Sequence, residues 1–412
     1  MALPAFRTYF TAQAVSAFGS AMSALAVTFA LIGLGASAGE LGLVLASGTV
    51  PALVLMLVGG VAGDRWERRL IMLGTDVVLA VTMGALGLLV LSGRAEIWHF
   101  LVAQLVAGAA MAFTGPASVG LMPSLVPGDQ LQSANTLRVT SRNIASIAGP
   151  PVAGILIATS SAGWALAADG LTYLVSAVLV ARLPRSPGHV EAGASVWADI
   201  RHGWSEFTSR RWVVLMVLGF ASYQATVLPA IFVLGPILAE RKLDGAASWA
   251  VVLSARAVGA LVIGLLLLRW RPRRPVLAST VVILLDVPFL LALASGLPIA
   301  LVAAAAAISS AGVMAADTLW ESALQENVPV DVLSRVSSYD WFGSMMINPL
   351  GFALIGAAAA GFGVNPVLLT AVGVTVVVHG LLMVTPSVRA VTRAPRATPA
   401  PAPDAPPVPD RS

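Results

Sequence analysis

The sequence has no cysteine, a single lysine and very little charge. Without cysteine there can be no disulfide, thiolate metal site, iron–sulfur cluster or Cys nucleophile. Lys242 has no glycine-rich loop before it and no Ser or Thr after it, which excludes the phosphate loop of an ATP-driven motor. The histidines, His99, His189, His202 and His379, are scattered without metal-ligand spacing, so neither metal nor cofactor is expected. Charged residues are 11% of the 412, hydrophobic ones 58%, and the mean hydropathy is +0.87. A soluble domain carries about 25% charge because its surface must be solvated. That surface is missing, which excludes a water-soluble globular protein.

What is present is a series of long apolar runs. Residues 8–39, 41–63, 97–128, 143–168, 212–239 and 287–316 contain no Asp, Glu, Lys or Arg. The run 341–388 is too long for one span of about 20 residues and divides at Gly361-Phe362-Gly363-Val364-Asn365-Pro366. Single charges (Asp76, Asp169, Arg256, Asp286) interrupt the shorter runs. The pattern predicts an all-α integral membrane protein of twelve transmembrane helices, at roughly 8–33, 41–62, 71–92, 98–121, 135–158, 164–183, 212–238, 246–268, 275–295, 298–324, 335–360 and 365–386. The first run is too long for a signal peptide and lacks a cleavage site, so it reads as a retained helix.

The basic residues orient these spans. With twelve spans both termini share one side, and 20 of the 24 Lys and Arg fall there, leaving Arg94, Arg241 and Lys242 opposite and Arg256 within a span. The positive-inside rule then predicts cytoplasmic termini. The net charge of +4 is therefore explained by topology, and nucleic acid is not an expected partner, because no basic cluster is interleaved with stacking aromatics.

The expected organisation is a bundle over 1–183, a cytoplasmic linker over 184–211, a second bundle over 212–386 and a disordered Pro/Ala-rich tail over 387–412. In the linker Trp197, Ile200, Trp204 and Phe207 share a helical face, which suits either an interfacial helix or a loop with anchoring tryptophans. Val126-Pro127-Gly128-Asp129-Gln130-Leu131 recurs 202 residues later as Val328-Pro329-Val330-Asp331-Val332-Leu333, each copy at the cytoplasmic exit of a span. Two pseudo-symmetric six-helix bundles follow, with a cavity between them, the layout of alternating-access carriers.

The loop Gly60-Val61-Ala62-Gly63-Asp64-Arg65-Trp66-Glu67-Arg68-Arg69 resembles the signature loop of the major facilitator superfamily, with Glu67 in place of its second glycine. Trp98-His99, Gly115-Pro116-Ala117, Ala134-Asn135, Gly149-Pro150, Trp320-Glu321, Leu324-Gln325-Glu326 and Ser337-Ser338-Tyr339-Asp340-Trp341 resemble its efflux subgroup of enterobactin-exporter-like and macrolide-efflux-like carriers. Gly149, Pro150 and Gly154 fall on a segment resembling an antiporter motif, with Ala153 in place of one glycine. The resemblance implies drug–proton exchange there. Close helix packing is the alternative reading of the same small residues.

Gating by the signature loop is likewise implied by the resemblance. Asp64 would face the start of the eleventh span, Asp340 would meet Arg65 or Arg68 beside Arg69, and Glu321 would pair with Arg273 or Arg274. Charges inside the bilayer cost at least about 2.5 kcal/mol each and need a reason. Arg256 and Asp286 lie at similar depth on antiparallel spans, so Arg256 either pairs with Asp286 or binds an anionic substrate. Asp317 shares a helical face with Trp320 and Glu321 and is a candidate for cation binding or proton carriage. Asp169 is a further proton candidate, with a structural alternative. The family's cavity-lining spans offer Gln13, Phe18, Gln104, Phe113, Tyr223, Gln224 and Trp320. So few polar groups favour an amphipathic ligand over a sugar.

The expected function is export of a hydrophobic or amphipathic small molecule (a drug, siderophore or secondary metabolite) by proton antiport. The expected setting is a monomer in the cytoplasmic membrane of a bacterium, with the small molecule, protons and the lipid bilayer as partners. Uptake by proton symport and a non-transporting membrane sensor are the alternatives. A membrane-embedded enzyme is disfavoured, because no nucleophile or metal constellation supports one.

Overall fold

The computed structural model describes residues 4–127, 130–184, 204–267 and 269–393. They form antiparallel helices: α1 Pro4–Gly33, α2 Ala38–Arg65, α3 Arg68–Leu91, α4 Ile97–Leu125, α5 Leu131–Thr159 and α6 Ala162–Val180. The second half holds α7 Arg211–Lys242, α8 Gly245–Leu267, α9 Pro275–Ser295, α10 Ile299–Asn327, α11 as Val330–Met345 and Asn348–Phe362, α12 Val364–Val384 and the short α13 Pro386–Arg389. Among the described residues eleven helices are long and apolar enough to cross a membrane. The remaining long one, α5, has the length at 29 residues, but its first half carries Arg138, Arg142 and several amides and hydroxyls. In hydrocarbon every backbone group must be bonded internally, which is why these runs are helical.

The helix ends follow local chemistry. At the end opposite the termini, five hairpins turn on glycines with positive φ: Gly35, Gly93, Gly245, Gly296 and Gly363. Left-handed backbone costs glycine nothing, so these connections stay short. Ser37 and Glu40 cap α2 reciprocally, Ser37 N donating to Glu40 Oε2 at 2.8 Å and Glu40 N to Ser37 Oγ at 3.2 Å. The same capping arrangement joins Glu96 and His99 at α4. Three spans in the second half are broken. A π turn at Ala230–Leu234 follows Pro229 in α7, a 3-10 turn at Ile283–Leu285 precedes Asp286 in α9, and α11 is interrupted before Asn348-Pro349.

Packing defines the two bundles and where they meet. At the end away from the termini one apolar core runs through both bundles, from Leu31, Leu41 and Phe100 to Trp249, Phe289 and Leu368. At the terminus end the core is split. Phe6, Tyr9, Met72, Leu121 and Leu183 belong to the first bundle, and Val213, Val276, Trp320, Val332 and Val388 to the second. Bundle-to-bundle packing runs through α2 against α11 and α5 against α8. Gly42 lies on the Phe352 carbonyl, Gly356 on Ala38, and a side-chain carbon at Gly154 would lie 2.7 Å from Ala250 Cβ. These contacts close the far end.

The structure bears on two non-spanning parts. Residues 204–209 are helical, as one of the two readings expected: Phe207 is buried and stacks on Tyr339 at 5.8 Å between centroids, while Trp204, 5.5 Å from the same ring, stays exposed. Trp197 and Ile200 lie outside the described residues. The tail expected to be disordered from 387 is docked through Arg393, because Val388 and Val391 are buried in the second bundle's core. Arg393 N donates to the Arg273 carbonyl at 3.0 Å and Arg393 Nε to Glu326 Oε1 at 2.8 Å.

Candidate functional site

One mid-membrane charged group sits in the second bundle. Arg256 is eleven residues into α8, Asp286 eleven into α9 and Ser309 ten into α10. At 1.5 Å per residue each is about 16 Å deep, half of a ~30 Å hydrocarbon core. Arg256 and Asp286 are linked through a serine: Arg256 Nη1 donates to Ser309 Oγ at 2.9 Å, and Ser309 Oγ donates to Asp286 Oδ1. The serine reaches both because α10 packs between α8 and α9. Phe289 lies under the guanidinium, 5.5 Å from ring centroid to Cζ, and buried Tyr223 stands beside the group. Asp286 is wholly buried, and its Oδ2 has no hydrogen-bond partner.

Nearer the termini, α10 and α11 bring an aromatic and acidic group together. Trp320 Nε1 donates to Asp340 Oδ2 at 2.9 Å, and its ring meets Trp212 and Phe220 edge-on at 5.4 and 5.9 Å. Asp317 and Glu321 are exposed beside Asp340. The expected ion pair of Glu321 is corrected here. Asp340 accepts the indole N–H of Trp320, and Arg68 donates to the Gly120 carbonyl at 2.7 Å within its own bundle; the Arg65 alternative for Asp340 falls outside the described residues. Glu321 is not paired with Arg273 or Arg274, since Arg393 and Glu326 occupy that corner. Arg69 donates to the Leu183 carbonyl and sits 3.7 Å from Glu67. The side chains of Asp64 and Arg65 lie outside the described residues.

The first bundle holds a cavity of about 190 Å³ in the half nearer the termini. Gln13, Tyr9 and Ser20 of α1, Asp76 of α3, Thr114 of α4, Arg138 and Arg142 of α5 and Tyr173 of α6 line it. Gln13 is thus a lining residue, while half-buried Phe18 packs against the shared core and Gln104 touches Gly48 of α2. Phe113 is half-buried on α4, and Gln224 is buried on α7. In α5, Gly149 packs on Ala21 of α1 and Gly154 on Ala250 of α8, with Pro150 between them inside the helix. Sequence reasoning missed Ser309 and the lining roles of Asp76, Arg138 and Arg142. Asp76 did give a signal, as the lone charge interrupting an apolar run.

A family model for the Major Facilitator Superfamily matches residues 9–346. The chain belongs to the Major Facilitator Superfamily. Superfamily members are transport proteins, not enzymes, and this one is a multi-pass membrane protein. It is 27% identical over 410 residues to the multidrug efflux pump Tap of Mycobacterium tuberculosis, covering 96% of each chain. It is 28% identical over 189 residues to macrolide efflux protein A of Streptococcus pyogenes; the match covers 45% of this chain and 47% of that protein, so the chain spans about half the length of this relative. The superfamily fold is matched by the nucleoside transporter NupG (TM-score 0.73, 13% identity, 92% of this chain and 98% of that one). It is matched equally by a D-xylose–proton symporter (TM-score 0.70, 12% identity, 93% and 98%).

Proposed function

We propose that the chain exports a hydrophobic or amphipathic small molecule by alternating access, in exchange for protons. The observation that carries export is the end-to-end likeness to a multidrug efflux pump. The fold alone does not give direction, since an uptake symporter shares it. The positive-inside bias supports cytoplasmic termini in the inner membrane of a bacterium. With that orientation, the split core at the terminus end supports an inward-facing state.

The proposed roles follow from position. Arg256, Ser309 and Asp286 hold a neutralised charge at mid-depth. Asp317, Glu321 and Asp340 beside Trp320 attract an organic cation at the mouth of the second bundle. Asp64 and Arg65, with Arg68, Arg69, Arg273 and Arg274, belong to the loops that meet when the terminus end closes. The linker over 184–211 tethers the bundles as they rock.

The test uses everted vesicles, ethidium as a cationic probe and erythromycin as a bulky amphipathic one, with an imposed pH gradient. Accumulation of either probe with matched proton release supports the reading. Accumulation without proton movement removes the antiport part, and movement only in the opposite direction removes export.

A further inference from the structure

We propose that Asp76 and Asp169 form a proton-binding pair in the first bundle, reached from the terminus end through the Asp76-lined cavity. The inference deepens the proton-exchange reading above and rests on it. α1 has no acid of its own. Its neighbours supply two: Asp76 from α3 and Asp169 from α6, which are 3% and 1% exposed. Gly19 of α1 makes the room, because a side-chain carbon there would lie 2.6 Å from Asp169 Oδ1.

Neither carboxylate has a cationic partner among the described residues; their neighbours are hydroxyls. Ser176 Oγ donates to Asp76 Oδ2 at 2.7 Å, Thr172 Oγ1 lies 3.5 Å from Asp169 Oδ1, and Ser23 stands beside Asp169. On α6, Tyr173 is four residues after Asp169 and three before Ser176, the donor to Asp76, so these three share one face. Its hydroxyl and Ser20 Oγ are 2.8 Å apart. Asp76, Ser20 and Tyr173 all line the cavity. The other ionisable groups facing it are Tyr9 from α1 and Arg138 and Arg142 from α5; α4 contributes none.

A buried carboxylate without a cation is costly as an anion and far cheaper as an acid. A hydroxyl neighbour can turn to donate to the anion or to accept from the acid, so it serves both forms. Each carboxylate takes one proton from water on one side, forming an O–H bond, and returns it as the cavity changes sides. Asp76 meets water first, and Asp169, near mid-depth, exchanges through the Tyr173–Ser20 hydroxyls.

The test is infrared difference spectroscopy of the full chain in lipid between acidic and alkaline buffer, which needs no transported molecule. The expected result is a deuterium-sensitive protonated-carboxyl band that loses intensity in Asp76→Asn, Asp76→Ser and Asp169→Asn and returns in Asp76→Glu. An unchanged band in all three removal variants overturns the proposal, as does absence of the band in the wild type. In everted vesicles, pH-driven ethidium accumulation is lost in Asp76→Asn and Asp76→Ser and restored in Asp76→Glu. Full accumulation in both removal variants also overturns it. A wild type that moves ethidium without protons sinks the exchange reading instead, and the infrared titration still decides the site.

Discussion

Ser309 carries two hydrogen bonds that decide whether Arg256 and Asp286 are tolerable at mid-membrane. Removing one member of a buried charged group costs more than removing both charges, because the survivor stays desolvated and unpaired. Arg256→Ala is therefore expected to destabilise the protein by about 3–5 kcal/mol, and the double variant with Asp286→Ala by clearly less. Thermal unfolding in detergent measures both; a double variant at least as damaged as the single one contradicts the coupling. The depth match of Arg256 and Asp286 was legible, since both are counted from charged helix ends on neighbouring antiparallel spans. Ser309 was not, because one hydroxyl in an Ala-rich helix has no pattern until the rotation of α10 against α8 and α9 is known. The same blindness hid Trp320 as the partner of Asp340: the two are 20 residues apart on helices whose facing surfaces no single-chain periodicity fixes.

At the scale of elements, helix identity was legible and ends were not. Apolar runs, four of them broken by a single charge, located the long helices, while the helices extend past them into polar residues that hydrocarbon rules ignore, as α5 does from Leu131 and α11 from Val330. Composition misjudged the start of the tail. Pro and Ala dominate beyond it, yet Val388 and Val391 supply two apolar anchors, enough to dock residues through Arg393 on the second bundle. The anchors outweigh the ion pair between Glu326 and Arg393, whose side chains are 29% and 23% exposed and which is worth at most about 1 kcal/mol. Val388→Asp with Val391→Asp is expected to release the segment, read as faster tryptic cleavage at Arg389 and Arg393 in inside-out membranes. Glu326→Ala is expected to leave cleavage nearly unchanged, and the reverse ranking would show that the ion pair does the holding.

For the whole molecule, the closed end is made of glycine and alanine at both bundle contacts: Gly42 and Gly356 between α2 and α11, Gly154 between α5 and α8. The half-length repeat implied two related bundles, and the small residues around Gly154 carried a close-packing reading. Which helix Gly154 meets was not legible, because pairing between halves is a property of the assembled bundles. Backbones that approach this closely have no space for a larger side chain, and overpacking costs about 1–3 kcal/mol. That cost falls only on the state whose far end is closed, so it acts as a differential bias between conformers. About 1.4 kcal/mol shifts such an equilibrium tenfold. Gly154→Leu is therefore expected to populate the opposite state, in which the terminus end is shut and the far end open. The cysteine-free chain allows spin labels to be placed without background, for example at exposed Ser133 of α5 and Gln325 of α10. Their separation should shorten in Gly154→Leu relative to Gly154, and Gly356→Leu should act in the same direction through the other contact. A distance distribution that stays unchanged in both variants would mean that these glycines set helix packing alone and leave the balance between states untouched.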